Sequence, residues 1–328
     1  MNYSGIQTRV GGIEVIQLSD ASRDMRVSIA PSIGNIAYEF SVHQKNYLWF
    51  PYAGPAELKA NPKLCGIPFL APWANRLDGV EYWVNARRYT LDREFGNLRW
   101  DPNQKPIHGL LLFSPLWNVV SVGANAARAE AVCRLEFWKH PELMTHFPFA
   151  HRITMTYRLA DGTLQVEVAM ENLSDQALPV AVGHHPYFQL HDAPRDEWKA
   201  HIAAREHLLL DSFLIPTGER RPMEFGDPHP LKARPLDDVF GKLIRDADGL
   251  ARFRVMGGRE KLTVSYGPNY RVAVIYAPEG RGDFICFEPM AAITNAFNLA
   301  YRGIDTELHS IAPGGEWRES FWVTPEAA

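Results

Sequence analysis

Residues 152–170 read RITMTYRLADGTLQVEVAM, and this stretch decides the fold. In RITMTYRL, Ile153, Met155, Tyr157 and Leu159 alternate with Arg152, Thr154, Thr156 and Arg158. In TLQVEVAM, Leu164, Val166, Val168 and Met170 alternate with polar or small neighbours. A strand sends successive side chains to opposite faces, so each segment is a strand with one apolar face. The glycine-bearing turn ADGT between them predicts a β-hairpin over 152–170. One covered face and one polar face mark an antiparallel sheet.

The same signal extends in both directions. LPVAVG (178–183), LTVSYG (262–267), YRVAVIYAP (270–278) and DFICFEP (283–289) are β-branched or aromatic runs closed by Gly or Pro. Near the start, GGIEVIQLSD, MRVSIAPSIG and NIAYEFSV behave likewise. Helical periodicity is scarce. PAELKA (55–60) predicts a short helix, opening on the proline that a first turn tolerates. No 20–50-residue repeat and no linker of biased composition interrupts the chain. Many short strands without a βαβ rhythm predict an all-β protein, a large antiparallel β-sandwich with few short helices, in one domain over 1–328. A barrel is the alternative that pattern alone leaves open.

The 328 residues are 46% hydrophobic and 22% charged, enough apolar material for a sizeable core. A formal net charge of −4 without a basic stripe argues against a nucleic-acid or anionic-membrane partner. Cys65, Cys133 and Cys286 are odd in number and far apart, which signals neither a disulfide framework nor a thiolate metal site. The opening MNYSGIQTRVGG lacks an apolar core of signal-peptide length, and GLLLFSPLW (109–117) is too short to span a bilayer. The expectation is a soluble protein of a reducing compartment, the cytoplasm.

Several familiar chemistries fail on their motifs. The chain has no phosphate-binding G-x-x-x-x-G-K-[ST] loop, no G-x-S-x-G and no H-E-x-x-H. DADG (246–249) has its glycine too early for an EF-hand loop. His140, His146 and His151 are close in sequence, but not at helical spacing, and Pro141 and Pro148 interrupt them. They read as loop and strand-edge histidines rather than a metal site.

Four segments combine reactive polar groups with backbone-restricting residues: CGIPFLAPWANRLDG (65–79), KPIHGL (105–110), GHHPYF (183–188) and ICFEPM (285–290). In DFICFEP, Glu288 shares parity with Phe284 and Cys286, while Ile285 and Phe287 face the other way. Both faces are largely apolar, so the strand is central and its carboxylate partly desolvated, which raises its pKa toward a useful base. The competing reading is a strand-end glutamate paired with a nearby arginine. Arg76 could equally be a structural ion pair, and His108 a capping or core histidine. His184 and His185 are adjacent on a strand, so at most one belongs to a common site. Taken together, a carboxylate, several histidines, an arginine and aromatic faces suit proton transfer on a polar, uncharged substrate such as a sugar.

These four segments, in this order, resemble the aldose 1-epimerase (mutarotase) family over about residues 10–320. The family's NR, HG, H-x-Y-F and E-P segments correspond here to Asn75-Arg76, His108-Gly109, His185-Pro186-Tyr187-Phe188 and Glu288-Pro289. HFPFAHRITMTYRL (146–159) and LDDVF (236–240) resemble two further family segments. The resemblance implies interconversion of α and β anomers of a free aldose through the open chain. Glu288 would be the base and His185 the acid. Arg76, His108 and Asn75 would hold the ring oxygen and hydroxyls, and Asp237 would grip hydroxyls, with Asp238 as the alternative. No metal or other cofactor is implied, and the partner is a small-molecule sugar for a monomer or homodimer. His184 stands where many members carry Asn, and strand parity points it away from the site, toward Val180 and Val182. Two alternatives stay open. One is a hexose-6-phosphate 1-epimerase, for which Arg87, Arg88 and Arg93 are the nearest cations. The other is a non-catalytic carbohydrate-binding or sensing protein, which would have no use for a matched acid and base.

Overall fold

A computed structural model of the chain describes residues 2–326. Strands 151–160 and 163–172 form the hairpin at the centre of the expectation, with Ile153, Met155, Tyr157 and Leu159 opposite Met170, Val168, Val166 and Leu164. All eight side chains are fully buried. On the reverse face Arg152 donates to Glu136 and Glu171, and Arg158 donates to Glu130. Such half-exposed pairs add little stability each; they keep the outer face wet and fix the register.

This hairpin lies within an antiparallel nine-stranded sheet, flanked by 316–326 on one side and 129–136 on the other. A second sheet of eight strands carries 236–243, 272–277 and 285–290 side by side, followed by the short pieces 187–188 and 183–184. The inner faces of the two sheets meet through aromatic contacts. Phe253 of the first sheet lies 5.9 Å from Phe287 of the second, ring centre to ring centre. A five-stranded meander over 3–46 packs beside them, tied in where Tyr157 donates its hydroxyl to the Asn35 carbonyl at 2.6 Å. The architecture is the antiparallel β-sandwich that the alternation predicts.

The helices are short: Pro55–Ala60, as expected, with Pro141–Met144 and Ala296–Tyr301. One strand differs from its reading. LPVAVG is not continuous: 178–180 pairs with 309–311 in a small ribbon, and the chain then switches to the second sheet at Gly183. A Cβ at Gly183 would lie 2.3 Å from Met290 Sδ and 3.0 Å from Pro289 O, so only glycine permits that crossing. The switch delivers the two following histidines to opposite faces.

Candidate active site

The strand Ile285–Met290 is buried along its whole length. Ile285 and Phe287 enter the core between the sheets, whereas Phe284 and Cys286 cluster with Tyr187 on the other face. Register lines up a row across four neighbouring strands on that face: Asp237 opposite Tyr276, Tyr276 opposite Cys286, Cys286 opposite Tyr187. Glu288 is two residues further along, 1% exposed. Asp237, Tyr276 and Tyr187 of this row, with Glu288, border a cavity of about 480 Å³, also lined by Arg76, His108 and His185.

His185 turns into this cavity and His184 away from it. The His185 amide donates to Pro68 O at 3.0 Å, placing its ring 3.4 Å (Nε2 to Oε1) from the Glu288 carboxyl. His184 packs in the core between Phe69 and Phe321, its Nδ1 3.5 Å from the Tyr270 hydroxyl. Parity places it away from the cavity, and aromatic rings are its neighbours there.

The Asn75-Arg76 and His108-Gly109 segments are stitched together by backbone. His108 N donates to Asn75 O at 2.8 Å, and Leu110 N to Ala71 O at 2.7 Å. Asn75 and His108 both take left-handed conformations, with φ of 55° and 64°. Gly109 follows at φ 68°, and a Cβ there would sit 2.1 Å from Ala71 O, which explains the glycine after the histidine. Arg76 is oriented by two neighbours: Nε donates to Asp101 Oδ2 at 2.7 Å and a terminal nitrogen to Asn75 Oδ1 at 3.0 Å. Asn75 thus both lines the cavity and orients Arg76, and the arginine's ion pair is with Asp101, not with Glu288.

Burial sets the electrostatics. It pushes the Glu288 carboxyl well above the usual range, with Asp237 adding and Arg76 opposing. It pushes His185 down to about 3, and His108 well below its ordinary value, the neighbouring His185 and Arg76 adding to the latter. Burial thus favours the neutral form of both groups. Three buried polar atoms here have no partner among the described residues: Glu288 Oε2, His185 Nδ1 and His108 Nδ1. Buried polar atoms are normally satisfied, so this set is arranged for something that brings its own hydrogen bonds.

The two aspartates separate cleanly. Asp237 lines the cavity at its open side, where crowding by protein raises its carboxyl and Arg76 and Arg281 pull it down. Asp238 points away and pairs with His207 at 2.9 Å and Arg234 at 2.6 Å. Tyr187, Tyr276, Asp101 and Arg281 complete the surroundings and were not singled out by the sequence. Strand parity could have found the tyrosines, which lie two residues from His185 and across from Asp237. Asp101 sits in a loop with no periodicity to reveal it. His140, His146 and His151 go to separate duties: His140 lies 3.4 Å from Glu142, His146 accepts from Asp92 N, and His151 donates to Phe149 O.

Residues 15–324 match the aldose 1-epimerase family. The protein YihR of Escherichia coli K12 is 25% identical over 245 residues, 73% of each chain. Among solved structures, a galactose mutarotase-like protein from Clostridium acetobutylicum superposes with a TM-score of 0.86 at 19% identity, covering 99% of this chain and 98% of its own. The galactose 1-epimerase of Lactobacillus acidophilus NCFM gives 0.73 at 14% identity over 98% of both chains. At such identities these structural likenesses establish the fold alone, that of the galactose mutarotase-like proteins.

Proposed function

This chain belongs to the aldose 1-epimerase family, and we propose that it interconverts the α and β anomers of a free aldose by opening and reclosing the sugar ring between Glu288 and His185. The observation that carries this reading is the buried pair itself. A carboxyl and an imidazole 3.4 Å apart, each with a second atom free of protein partners, sit in a cavity large enough for a monosaccharide. A salt bridge built for stability alone would satisfy those atoms.

In the opening step the Glu288 carboxylate takes the proton of the C1 hydroxyl, and that O–H electron pair forms the C1 carbonyl. The C1–O5 bond breaks, and O5 receives the proton of the His185 imidazolium. Rotation about C1–C2 presents the other face of the aldehyde. In closing, O5 attacks C1, His185 recovers its proton and Glu288 returns one to O1. The pair carries one proton throughout. The arrangement that burial favours, protonated Glu288 beside neutral His185, is the one left after opening. The ionised carboxylate is favoured when Arg76 and the sugar hydroxyls replace the hydrogen bonds that burial removed. His108 and Arg76 face the ring oxygen and hydroxyls, and Asp237 accepts from a hydroxyl at the open side.

The test is polarimetry of freshly dissolved α-D-glucose, α-D-galactose and other aldoses with and without protein. Faster relaxation to the anomeric equilibrium supports the reading. Tight sugar binding without acceleration would instead support a non-catalytic sugar-binding protein. Within this reading, Asp237→Asn lowers kcat/KM about tenfold, the scale of one hydrogen bond to a charged acceptor, without a change in unfolding midpoint. Asp238→Asn does the opposite: it costs about 1–3 kcal/mol of stability and leaves KM near its original value.

A second reading, an aldose bearing a phosphate at its far end, is favoured by one observation. Arg99 and Arg281 line the cavity without a carboxylate at ion-pair distance among the described residues. The arginines singled out by sequence are elsewhere: Arg88 pairs with Glu81, Arg93 lies over the Trp100 ring, and neither they nor Arg87 line the cavity. Including glucose 6-phosphate in the panel decides between the readings.

A further inference from the structure

The Tyr187 ring lies flat on the His185 imidazole, the ring centres 4.7 Å apart and the planes only 3° from parallel. Tyr187 Oη is 3.5 Å from His185 Nε2. With the planes parallel, that oxygen stands over the imidazole face rather than in its plane. Glu288 Oε1 lies 3.4 Å from the same nitrogen. His108 and Tyr276 meet the same imidazole at steep angles, 76° and 83°, so the ring is enclosed on several sides.

Tyr187 is itself immobilised. Its amide donates to Gly66 O at 2.8 Å and its carbonyl accepts from Trp49 N at 3.0 Å. Its ring is held by Phe284, 4.9 Å away, and Trp49, 5.7 Å away. A plate fixed by backbone on one side and aromatic rings on the other defines the plane of whatever stacks on it. An aromatic face also attracts a cation placed over it, most strongly where water is excluded.

We propose that Tyr187 is a positioning residue for proton transfer: its ring fixes the plane of the His185 imidazole so that Nε2 points along the reaction coordinate, and its π face stabilises the imidazolium that donates to the ring oxygen. This inference rests on the proposed function of the pair. It assigns Tyr187, which also lines the cavity, a role that acts through His185.

The test compares Tyr187→Leu and Tyr187→Phe with the unaltered protein. For each, kcat and KM for the best aldose, the thermal unfolding midpoint and the His185 imidazole proton shifts by NMR are measured. Loss of the plate in Tyr187→Leu lowers kcat about tenfold or more with KM within about twofold. The ring-current shift of the His185 protons falls with it. Tyr187→Phe keeps the stack and restores kcat to within about threefold. A packing role alone would lower the unfolding midpoint in Tyr187→Leu without separating kcat from KM. The inference is overturned if Tyr187→Leu keeps its kcat, if the loss falls on KM, or if Tyr187→Phe is as impaired as Tyr187→Leu. An unaltered protein that accelerates no aldose overturns the reading of the site instead, whereas an active one with an unimpaired Tyr187→Leu overturns this inference alone.

Discussion

Glu288→Gln lowers kcat/KM for mutarotation by about 10²- to 10⁴-fold, and His185→Asn does the same, while both variants fold. The residue is 1% exposed, and among the described residues its ion-pair partner is His185. Glutamine matches it in shape but cannot take a proton from the C1 hydroxyl. Asparagine at 185 likewise occupies the space without donating to the ring oxygen. Because the two act on one proton, the double variant falls little below the poorer single one. The unfolding midpoint of Glu288→Gln stays the same or rises, since an isosteric neutral amide replaces a group whose charged form is costly to bury. Polarimetry on the three purified proteins and thermal melts check both halves. Near-normal rates in either single variant would remove that residue from its role.

The protein loses stability steeply in mild acid. His184 and His185 are held down to about 3, and His151 to about 4, in each case chiefly by burial. Released in the unfolded chain, each titrates near 6.5. A depressed folded pKa means that the unfolded state binds more protons between those values. Stability is therefore complete above about 6.5 and drains away as pH falls toward 4 and then 3. Each histidine contributes about 1.4 kcal/mol per pH unit in that window. At pH 4.5 the three together cost about 8 kcal/mol, and Glu288, whose raised carboxyl holds its proton more tightly in the folded state over the same window, offsets part of it. His184 isolates the effect, because its ring does not line the cavity but packs among Phe69, Tyr270 and Phe321. His184→Gln, which can still meet the Tyr270 hydroxyl, removes one histidine's share of the slope and leaves activity at pH 7.5 in place. Urea unfolding at several pH values between 7.5 and 4.5 measures it. A slope unchanged in the variant would contradict the assignment.

The sheet architecture was legible because its signal is local. Ile153 to Leu159 and Leu164 to Met170 alternate strictly, and a two-residue period has one structural meaning when a covered face is present. The same reasoning put Glu288 opposite in parity to Phe287 and separated His184 from His185. Where local signals end, so did the reading. The break after Val180 depends on Gly183 meeting Met290, more than a hundred residues away. Asp101, which orients Arg76, comes from a loop whose path no periodicity encodes. Asp237 was preferred to Asp238 on resemblance alone, and strand pairing is what sets it opposite Tyr276. The protonation of the pair also needed the structure, since it depends on how completely both groups are buried.

The central claim is that this cavity opens an aldose ring by moving one proton between Glu288 and His185. Magnetisation transfer between the α and β anomeric protons of a sugar at equilibrium measures that step directly, without following net conversion. The account predicts transfer in the presence of the unaltered protein for at least one aldose or aldose phosphate, and its loss in Glu288→Gln. Transfer that persists undiminished in Glu288→Gln, or that never exceeds the protein-free rate across the panel, would contradict it.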